Sequence, residues 1–435
     1  MAIPFNWIAS DRYSTTFYAQ LWTVTRAGNN LYALMSKTDF SGVVELHKSS
    51  DFGATWALLD NTCPITSGNL TGALDFYYAL DGKLRVMYVA PPDGGGTIKF
   101  TQFDLGSLTW SSVTNIGGGF TQTQNAPIGG QEAAGFFEYI RGDGSRIVAY
   151  QTDPSGSGWK RVRILKEVSG TWTSLALIGG SDPHYILFNG LADTVDNVHL
   201  LINSYDSNGT ADLYHVSVAA ADDSVSSLHL IDSDIEDNAT NMQGFAASTA
   251  SGRGDISGDG QTIAWAYGYT TNYGWTAGTG ALRVAIADLS GNPLNPSWTI
   301  ETVATNTAKF FNTGESIEAA ATFQGSSNLQ AIWGTFYSSG PSRANIYSSD
   351  RTAPSTWTAP TAIFAAQSDG SGTIVDIQGF DLLNGYTNGV GIIIDQQSNE
   401  GSSYTWIGFN GPPGISATYV SSGGALAGPG NYASA

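Results

Sequence analysis

The sequence predicts an all-β chain built from repeated units, on three observations. The first is the stretch Ser49-Ser50-Asp51-Phe52-Gly53-Ala54-Thr55-Trp56, which reads as a tight turn with an anchor. Asp51 is placed to accept hydrogen bonds from the N–H groups that follow it. Gly53 can take a positive φ, and Trp56 can plug the next strand into a core. The second observation is recurrence. Asp104-Leu-Gly106-Ser-Leu-Thr109-Trp110 is a copy with one extra residue, and Ser348-Ser349-Asp350 followed by Thr356-Trp357 is a longer one. Gly170-Thr171-Trp172 and Ser297-Trp298 keep the end of the phrase, while a further copy expected near Ser226-Ser227-Leu228 has no Trp. The period is about 55 to 60 residues. The third observation is texture: 53 glycines and only 13% charged residues suit short strands and tight turns rather than exposed helices. Together these predict a single β-propeller of four-stranded antiparallel blades, seven favoured and six the alternative.

Each unit reads as short strands separated by hairpin signals. The first holds Leu31–Met35 and Val43–His47, and the second holds Leu74–Tyr78, the turn Asp81-Gly82, then Leu84–Val89 and Ile98–Phe103. The third has Phe136–Ile140, Gly142-Asp143-Gly144, Arg146–Tyr150 and the basic run Lys160–Lys166. The fourth has Asn197–Ile202 and Ala211–Val216, and the fifth has Thr262–Tyr267 and Ala281–Ile286 around a long aromatic loop. The sixth has Ile317–Phe323 and Leu329–Trp333. The seventh, Val375–Phe380, Val390–Ile394 and Tyr404–Phe409, lacks a fourth strand, and Phe5–Ala9 is expected to supply it. The propeller is thus expected over residues 1–410, with residues 411–435 a Gly/Ala/Ser-rich tail.

The formal charge of −19 argues against a nucleic-acid surface, which needs a basic patch to displace counterions. It also argues against docking on an anionic membrane, and no apolar run is long enough to span one. Cys63 is the sole cysteine and the five histidines are scattered, so no disulfide, metal centre or cofactor is expected. The N-terminus carries no secretory-signal pattern.

Ser49, Asp51, Gly53, Thr55 and Trp56 resemble the Asp-box of sialidase-like β-propellers, and Asp104, Gly106, Trp110, Asp350 and Trp357 fit its looser copies. The resemblance implies the architecture of nearly the whole chain. It implies little about activity, because that turn lies away from the axis where such propellers keep their active sites. Sialidases also carry an Arg-Ile-Pro signature, whereas here Ala2 precedes Ile3-Pro4, and no catalytic set can be assigned. The overall texture resembles phage virion proteins. The expectation from sequence is therefore a non-catalytic structural or binding propeller in a phage-type virion, its partners being neighbouring subunits and a host glycan. The alternatives are a propeller-type glycoside hydrolase and an extracellular lectin-like protein.

Tyr269, Tyr273 and Trp275 are the candidate ligand-binding residues, since aromatic faces beside Asn and Thr suit sugar rings. The competing reading is a loop packed on its own side chains. Glu132, Glu138, Glu315 and Glu318 lie near first strands and are candidates for a hydrolytic pair, against a reading as single hydrogen-bonded acids. Asp255–Gly260 has oxygen ligands at alternating positions, as a calcium loop does, but lacks the later bidentate acid and reads better as a hairpin tip. Arg253-Gly254-Asp255 spells an integrin-type tripeptide and is read as chance. Lys160–Lys166 is read either as pairing with an acidic neighbour or as an edge strand protected by charge.

Overall fold

The computed structural model describes residues 6–10, 23–27, 30–36, 43–51, 55–65, 74–79, 81–90, 97–116, 136–152, 161–180, 183–205, 211–236, 252–270, 280–305, 319–324, 328–335, 345–365, 376–382, 390–397 and 403–410. Every regular element among them is a β-strand. The first, β1 (Asn6–Ser10), belongs to a sheet completed at the other end of the chain. The first unit is β2 (Thr23–Ala27), β3 (Asn30–Ser36), β4 (Val44–Ser49) and β5 (Ala57–Asp60). The second is β6 (Leu74–Ala79), β7 (Lys83–Ala90) and β8 (Thr97–Asp104), with β9 (Thr109–Trp110) and β10 (Thr114–Asn115) sharing the edge of β8. The third is β11 (Phe136–Ile140), β12 (Arg146–Thr152), β13 (Arg161–Val168) and β14 (Thr171–Ile178).

The fourth unit is β15 (His184–Ala192), β16 (Val198–Tyr205), β17 (Ala211–Val218) and β18 (His229–Glu236). The fifth is β19 (Gly252–Ile256), β20 (Thr262–Thr270), β21 (Gly280–Asp288) and β22 (Trp298–Thr305). The sixth is β23 (Ala319–Gln324), β24 (Asn328–Thr335) and β25 (Asn345–Ala353), with β26 (Thr356–Trp357) and β27 (Thr361–Ala365) both on β25. The last is β28 (Asp376–Leu382), β29 (Val390–Gln397) and β30 (Ser403–Asn410). β1 pairs antiparallel with β30, Asn6 opposite Phe409 and Ser10 opposite Thr405, so strands from both ends of the chain build one sheet.

Within each unit the strands follow one another antiparallel, the meander of a propeller blade. Tight turns make this possible: Gly82 (φ 84°) and Gly144 (φ 81°) join first to second strands in the left-handed region that side chains avoid. The fold is an all-β propeller of four-stranded antiparallel sheets. Among the described residues, strands of adjacent units pair in two places. β19 runs parallel to β23 with Gly252 opposite Ala319, and β18 meets β20 at Glu236 and Thr270.

Strand alternation puts one apolar face of each sheet against the next. Leu34, Leu46, Phe76, Leu84, Val86 and Phe103 fill the space between the first and second units. Met87, Ile98, Val148 and Leu165 do so between the second and third, and Ile164, Leu187, Leu200 and Val216 between the third and fourth. Between the fifth and sixth lie Ala266, Val284, Ala320, Ile332 and Trp333. The alanines there let two first strands approach within pairing distance.

The turn between third and fourth strands recurs with variations. Asp51 accepts from Thr55 N (2.9 Å), Thr55 Oγ1 (2.6 Å) and Ser49 Oγ (2.7 Å), so one carboxylate ties the turn's entry to its exit. Gly53 lies outside the described residues, and Trp56 is half-buried. Asp104 accepts from the N–H groups of Gly106 and Ser107, and Leu108 closes the turn at φ 55°. The ring of Trp110 packs on Phe103, and its indole N–H reaches Asp60 of the preceding unit at 2.8 Å. Asp350 behaves differently. Its carboxylate accepts from Gln330 across the sheet, and only its backbone brackets the turn, through Thr358.

A hydroxyl after the Trp recurs as well, in the second and sixth units. Ser111 and Thr358 each accept from a third-strand N–H, at Gln102 and Asp350. Ser226 does the same for Ser217, which makes Val225 the counterpart of the missing Trp. Asp222 and Asp223 supply that turn's acids, and Asp223 pairs with Lys166 and Arg141 of the preceding unit. The basic run therefore finds an acidic neighbour at Lys166. β13 pairs on both sides, with β12 and β14, so the protected-edge reading of that run is set aside.

Candidate functional site: an aromatic and arginine cluster at the start of β21

The third strands β4, β8, β17 and β21 run into turns that carry an Asp and start at the opposite end of their sheets. At that opposite end, β20 runs out at Thr270 and β21 begins at Gly280, so the aromatic-rich connection leaves and returns there. Register determines what faces the preceding unit. Tyr267 stands directly opposite Arg283, and Tyr269 opposite Ala281. Tyr267 and Tyr269 are two residues apart and share a face with Arg283. That face meets β18, whose Asp232 receives both groups: Tyr267 Oη donates to Oδ2 at 2.6 Å, and Arg283 Nη1 donates to the same oxygen at 2.8 Å. The guanidinium carbon of Arg283 sits 3.3 Å from the centroid of the Tyr269 ring, a cation–π contact.

The electrostatics assign roles. Tyr267 is buried, and burial, then the charge of Asp232 and its hydrogen bond, push the phenol far above its ordinary range. Tyr267 therefore stays a donor and holds Asp232. The ion pair is partly exposed, Arg283 at 23% and Asp232 at 16%, as is Tyr269. Arg283 covers one face of the partly exposed Tyr269 ring. The cluster thus presents an aromatic surface backed by a fixed cation whose position is set by an acid on the neighbouring unit.

A related arrangement occurs one unit earlier at the same end. Tyr214 near the start of β17 donates to Asp212 at 3.0 Å and packs against Tyr185, ring centroids 6.2 Å apart. Burial, then the Asp212 charge, push the Tyr214 phenol up to about 12.

Of the ligand-binding residues expected from sequence, Tyr269 lies in this cluster, packed on Arg283 of the next strand. Tyr273 and Trp275 lie outside the described residues. Sequence reasoning missed Asp232 and Arg283. Arg283 had a signal, a charge inside an otherwise apolar run, Ala-Leu-Arg283-Val-Ala, whereas Asp232 sits in an acidic run, Asp232-Ser-Asp234-Ile-Glu236, that singles out none of its members.

The carboxylate candidates divide. Glu132, Glu315 and Glu318 lie outside the described residues, while the Glu138 side chain is fully buried and paired with Arg146 at 2.9 Å. Glu138 is a structural ion pair at the root of the third unit. Asp259 closes a hairpin tip by accepting from Ser257 Oγ and Gln261 N. Asp255 is turned inward, accepting from Thr322 Oγ1 and Phe323 N of the sixth unit. Gly254 is hemmed in, with space for a Cβ blocked at 2.9 Å by the Ala264 carbonyl, so the Arg-Gly-Asp tripeptide is not a displayed loop. Among the described residues no group of three or more His, Cys, Asp or Glu side chains is placed to hold a metal ion. Among them, too, no helix is long and apolar enough to cross a membrane.

No protein-family profile and no curated protein matches the chain. Solved structures do. A polysaccharide lyase described as an ulvan lyase shares 9% identity, with 93% of this chain and 94% of that one covered and a TM-score of 0.49. A leech intramolecular trans-sialidase shares 9% identity over 87% of this chain and 82% of its own, TM-score 0.44. A Penicillium chrysogenum α-L-arabinanase shares 12% identity over 94% and 98%, TM-score 0.38. These proteins are named as carbohydrate-active enzymes, and with them the sequence-based reading of a non-catalytic virion component is withdrawn.

Proposed function

We propose that this chain is a carbohydrate-active propeller that engages a polysaccharide at the end of the sheets opposite the Asp turns, and that it acts there as an enzyme. The observation that carries the reading is the Tyr269–Arg283–Asp232–Tyr267 cluster. A sugar ring offers an apolar C–H face and a rim of hydroxyl or acidic groups. A half-exposed tyrosine beside a held guanidinium answers both, since one stacks and the other donates. The cluster stands where the Tyr/Trp/Asn/Thr-rich connection between residues 271 and 279 joins the sheet. Glu132, Glu315 and Glu318 are the carboxylates this reading keeps for acid–base work, because Glu138 is committed to Arg146.

The test is a panel of neutral and uronate-containing polysaccharides. Products are followed by new reducing ends, for hydrolysis, and by ultraviolet absorbance of an unsaturated product, for elimination. The reading expects retardation in affinity gels and one of the two product signals on at least one polymer. Neither retardation nor product on any polymer would refute it.

A further inference from the structure

Between the fourth and fifth units, on the Asp-turn side of the cluster above, lies a row of three imidazoles that the proposed function does not use. His199, His215 and His229 come from the adjacent strands β16, β17 and β18. Register puts His229 opposite His215, and His199 opposite Ser217, two residues along β17 from His215, so the three rings share one face. Ring centroids are 5.3 Å apart for His199 and His215, and 6.3 Å for His215 and His229. Across the seam the indole of Trp298 on β22 tilts onto His215 at 5.5 Å. His199 and His215 are fully buried and His229 is half-buried.

The hydrogen bonds orient the row. Asp193, in the turn between β15 and β16, accepts from Val195 N, Asn197 N and Asn197 Nδ2. Burial pushes its carboxyl up, but its bonds from His199 and Asn197 outweigh this and hold it below the usual carboxylate range. His199 Nε2 lies 3.5 Å from Asp193 Oδ2, and His199 Nδ1 lies 3.1 Å from His215 Nε2. A carboxylate only accepts, so the consistent assignment puts the His199 proton on Nε2 and the His215 proton on its own Nε2, donated to His199 Nδ1. His215 Nδ1 is then a bare lone pair, and this buried atom has no hydrogen-bond partner among the described residues. The row is complete with both buried rings neutral. A proton added to His215 would sit on Nδ1 with nothing to accept it and with imidazoles on either side.

We propose that this row is an acid-sensitive latch: protonation at His199–His215–His229 opens the seam between the fourth and fifth units and releases β18. The strand is suited to such release. Its pairing with β17 is broken twice by register shifts, its ladder with β20 is a single residue pair, and its remaining tie to the fifth unit is Asp232, held by Tyr267 and Arg283. The titratable groups facing His215 are His199 and His229, with Asp193 behind His199, while the fifth unit contributes the uncharged Trp298. The link between the two units at this level is neutral as well, Ser217 Oγ donating to the Leu294 carbonyl. Because β18 also carries Asp232, its release would free Arg283 beside Tyr269, whatever that end binds.

Burial first, then the His199 and His229 charges, hold His215 well below the ordinary histidine value. The sign follows from this. Above the unfolded-state value of about 6.5 both states are neutral and the latch contributes fully. Below it the unfolded chain takes up protons that the fold refuses, so stability falls with pH. His215, kept neutral, adds about tenfold per pH unit to the unfolding constant.

The experiment measures denaturant unfolding of the full chain from pH 7.5 to 5.0, with amide exchange by mass spectrometry over residues 229–236, corrected for intrinsic rate. Wild type is expected to lose stability below pH 6.5 and to lose protection in β18. His215→Leu, which stays buried and cannot protonate, is expected to reduce the slope by about tenfold per pH unit. His229→Gln, at the half-exposed end of the row, covers the case where the core variant does not fold, and should retain more β18 protection at pH 5.5 than wild type. The unrelated His47 and His184 cancel in these differences. Parallel pH slopes for wild type and His215→Leu would overturn the proposal. So would β18 protection that falls equally in wild type and His229→Gln, or does not change with pH.

Discussion

Glu301 gives the sharpest test of how the units are held together. It projects from β22, its side chain is fully buried, and it collects donors from the sixth unit. Arg351 Nε and Nη2 bind it at 2.9 and 2.7 Å, Ser355 N at 2.8 Å and Trp357 Nε1 at 3.0 Å. One carboxylate thus anchors the Arg, the turn and the repeat's Trp at once. Glu301→Ala leaves the indole and the Ser355 N–H without their acceptor and the guanidinium without its counter-charge. Breaking a buried pair from one side costs about 3–5 kcal/mol. Arg351 is 25% exposed and can recover some hydration, which puts the expectation near the lower end, about 3 kcal/mol. Urea unfolding of wild type, Glu301→Ala, Arg351→Met and the double variant separates the pair from its surroundings. The reasoning expects coupling of about 1 kcal/mol or more, with further loss from Glu301→Ala that Arg351→Met does not reproduce. A Glu301→Ala loss below about 1 kcal/mol, as for an exposed pair, would refute it.

Three further outcomes are expected. Asp51→Ala should cost about 1 kcal/mol, because the turn is exposed and water can replace its donors, whereas Asp350→Ala should leave its own turn closed; thermal unfolding of the two variants checks this. The turn also gives a pH signature. Burial pushes the Asp51 carboxyl up, but the Thr55 and Ser49 hydrogen bonds outweigh this and hold it below the ordinary value. Its stabilisation is therefore present above the unfolded-state value and is lost as pH falls through the folded one, and Asp51→Ala should be less acid-sensitive than wild type below about pH 4. Gly190→Ala would drive a methyl into the Phe137 ring between the third and fourth units, and a loss of about 1–3 kcal/mol in urea midpoint measurements is expected.

Much of the fold was legible because the repeat is written in residues with one physical job each. Asp51 and Thr55 close a turn, and Asp81-Gly82 and Gly142–Gly144 punctuate the hairpins. The fourth unit escaped because its anchor is Val225, and the surviving signal is Ser226, a hydroxyl that any loop carries. Asp350 misled for the opposite reason. It stands at the right distance from a Trp, but Gln330 opposite it on β24 takes its carboxylate, and Glu301 from the preceding unit does the work at the turn. Sequence spacing sees one strand at a time, whereas these choices are made across strands and across units.

The candidate cluster was half legible for the same reason. Tyr269 stood out as an aromatic in a Gly/Thr/Asn context. Arg283 and Asp232 did not, because pairing them requires the β20–β21 register and the seam with β18. The basic run Lys160–Lys166 left an acidic partner as one of two readings, and Lys166 finds it in Asp223, 57 residues on.

The measurement that bears most directly on the carbohydrate reading is turnover of the best-retained polysaccharide by wild type and Tyr269→Ala side by side, with stability recorded for both. The account predicts product from wild type, at least a tenfold loss of affinity or turnover in Tyr269→Ala, corresponding to about 1.4 kcal/mol, and unchanged unfolding midpoints. A Tyr269→Ala protein that binds and turns over the polymer as wild type does would contradict the placement of the site. No product and no retention by wild type on any polymer would contradict the function itself.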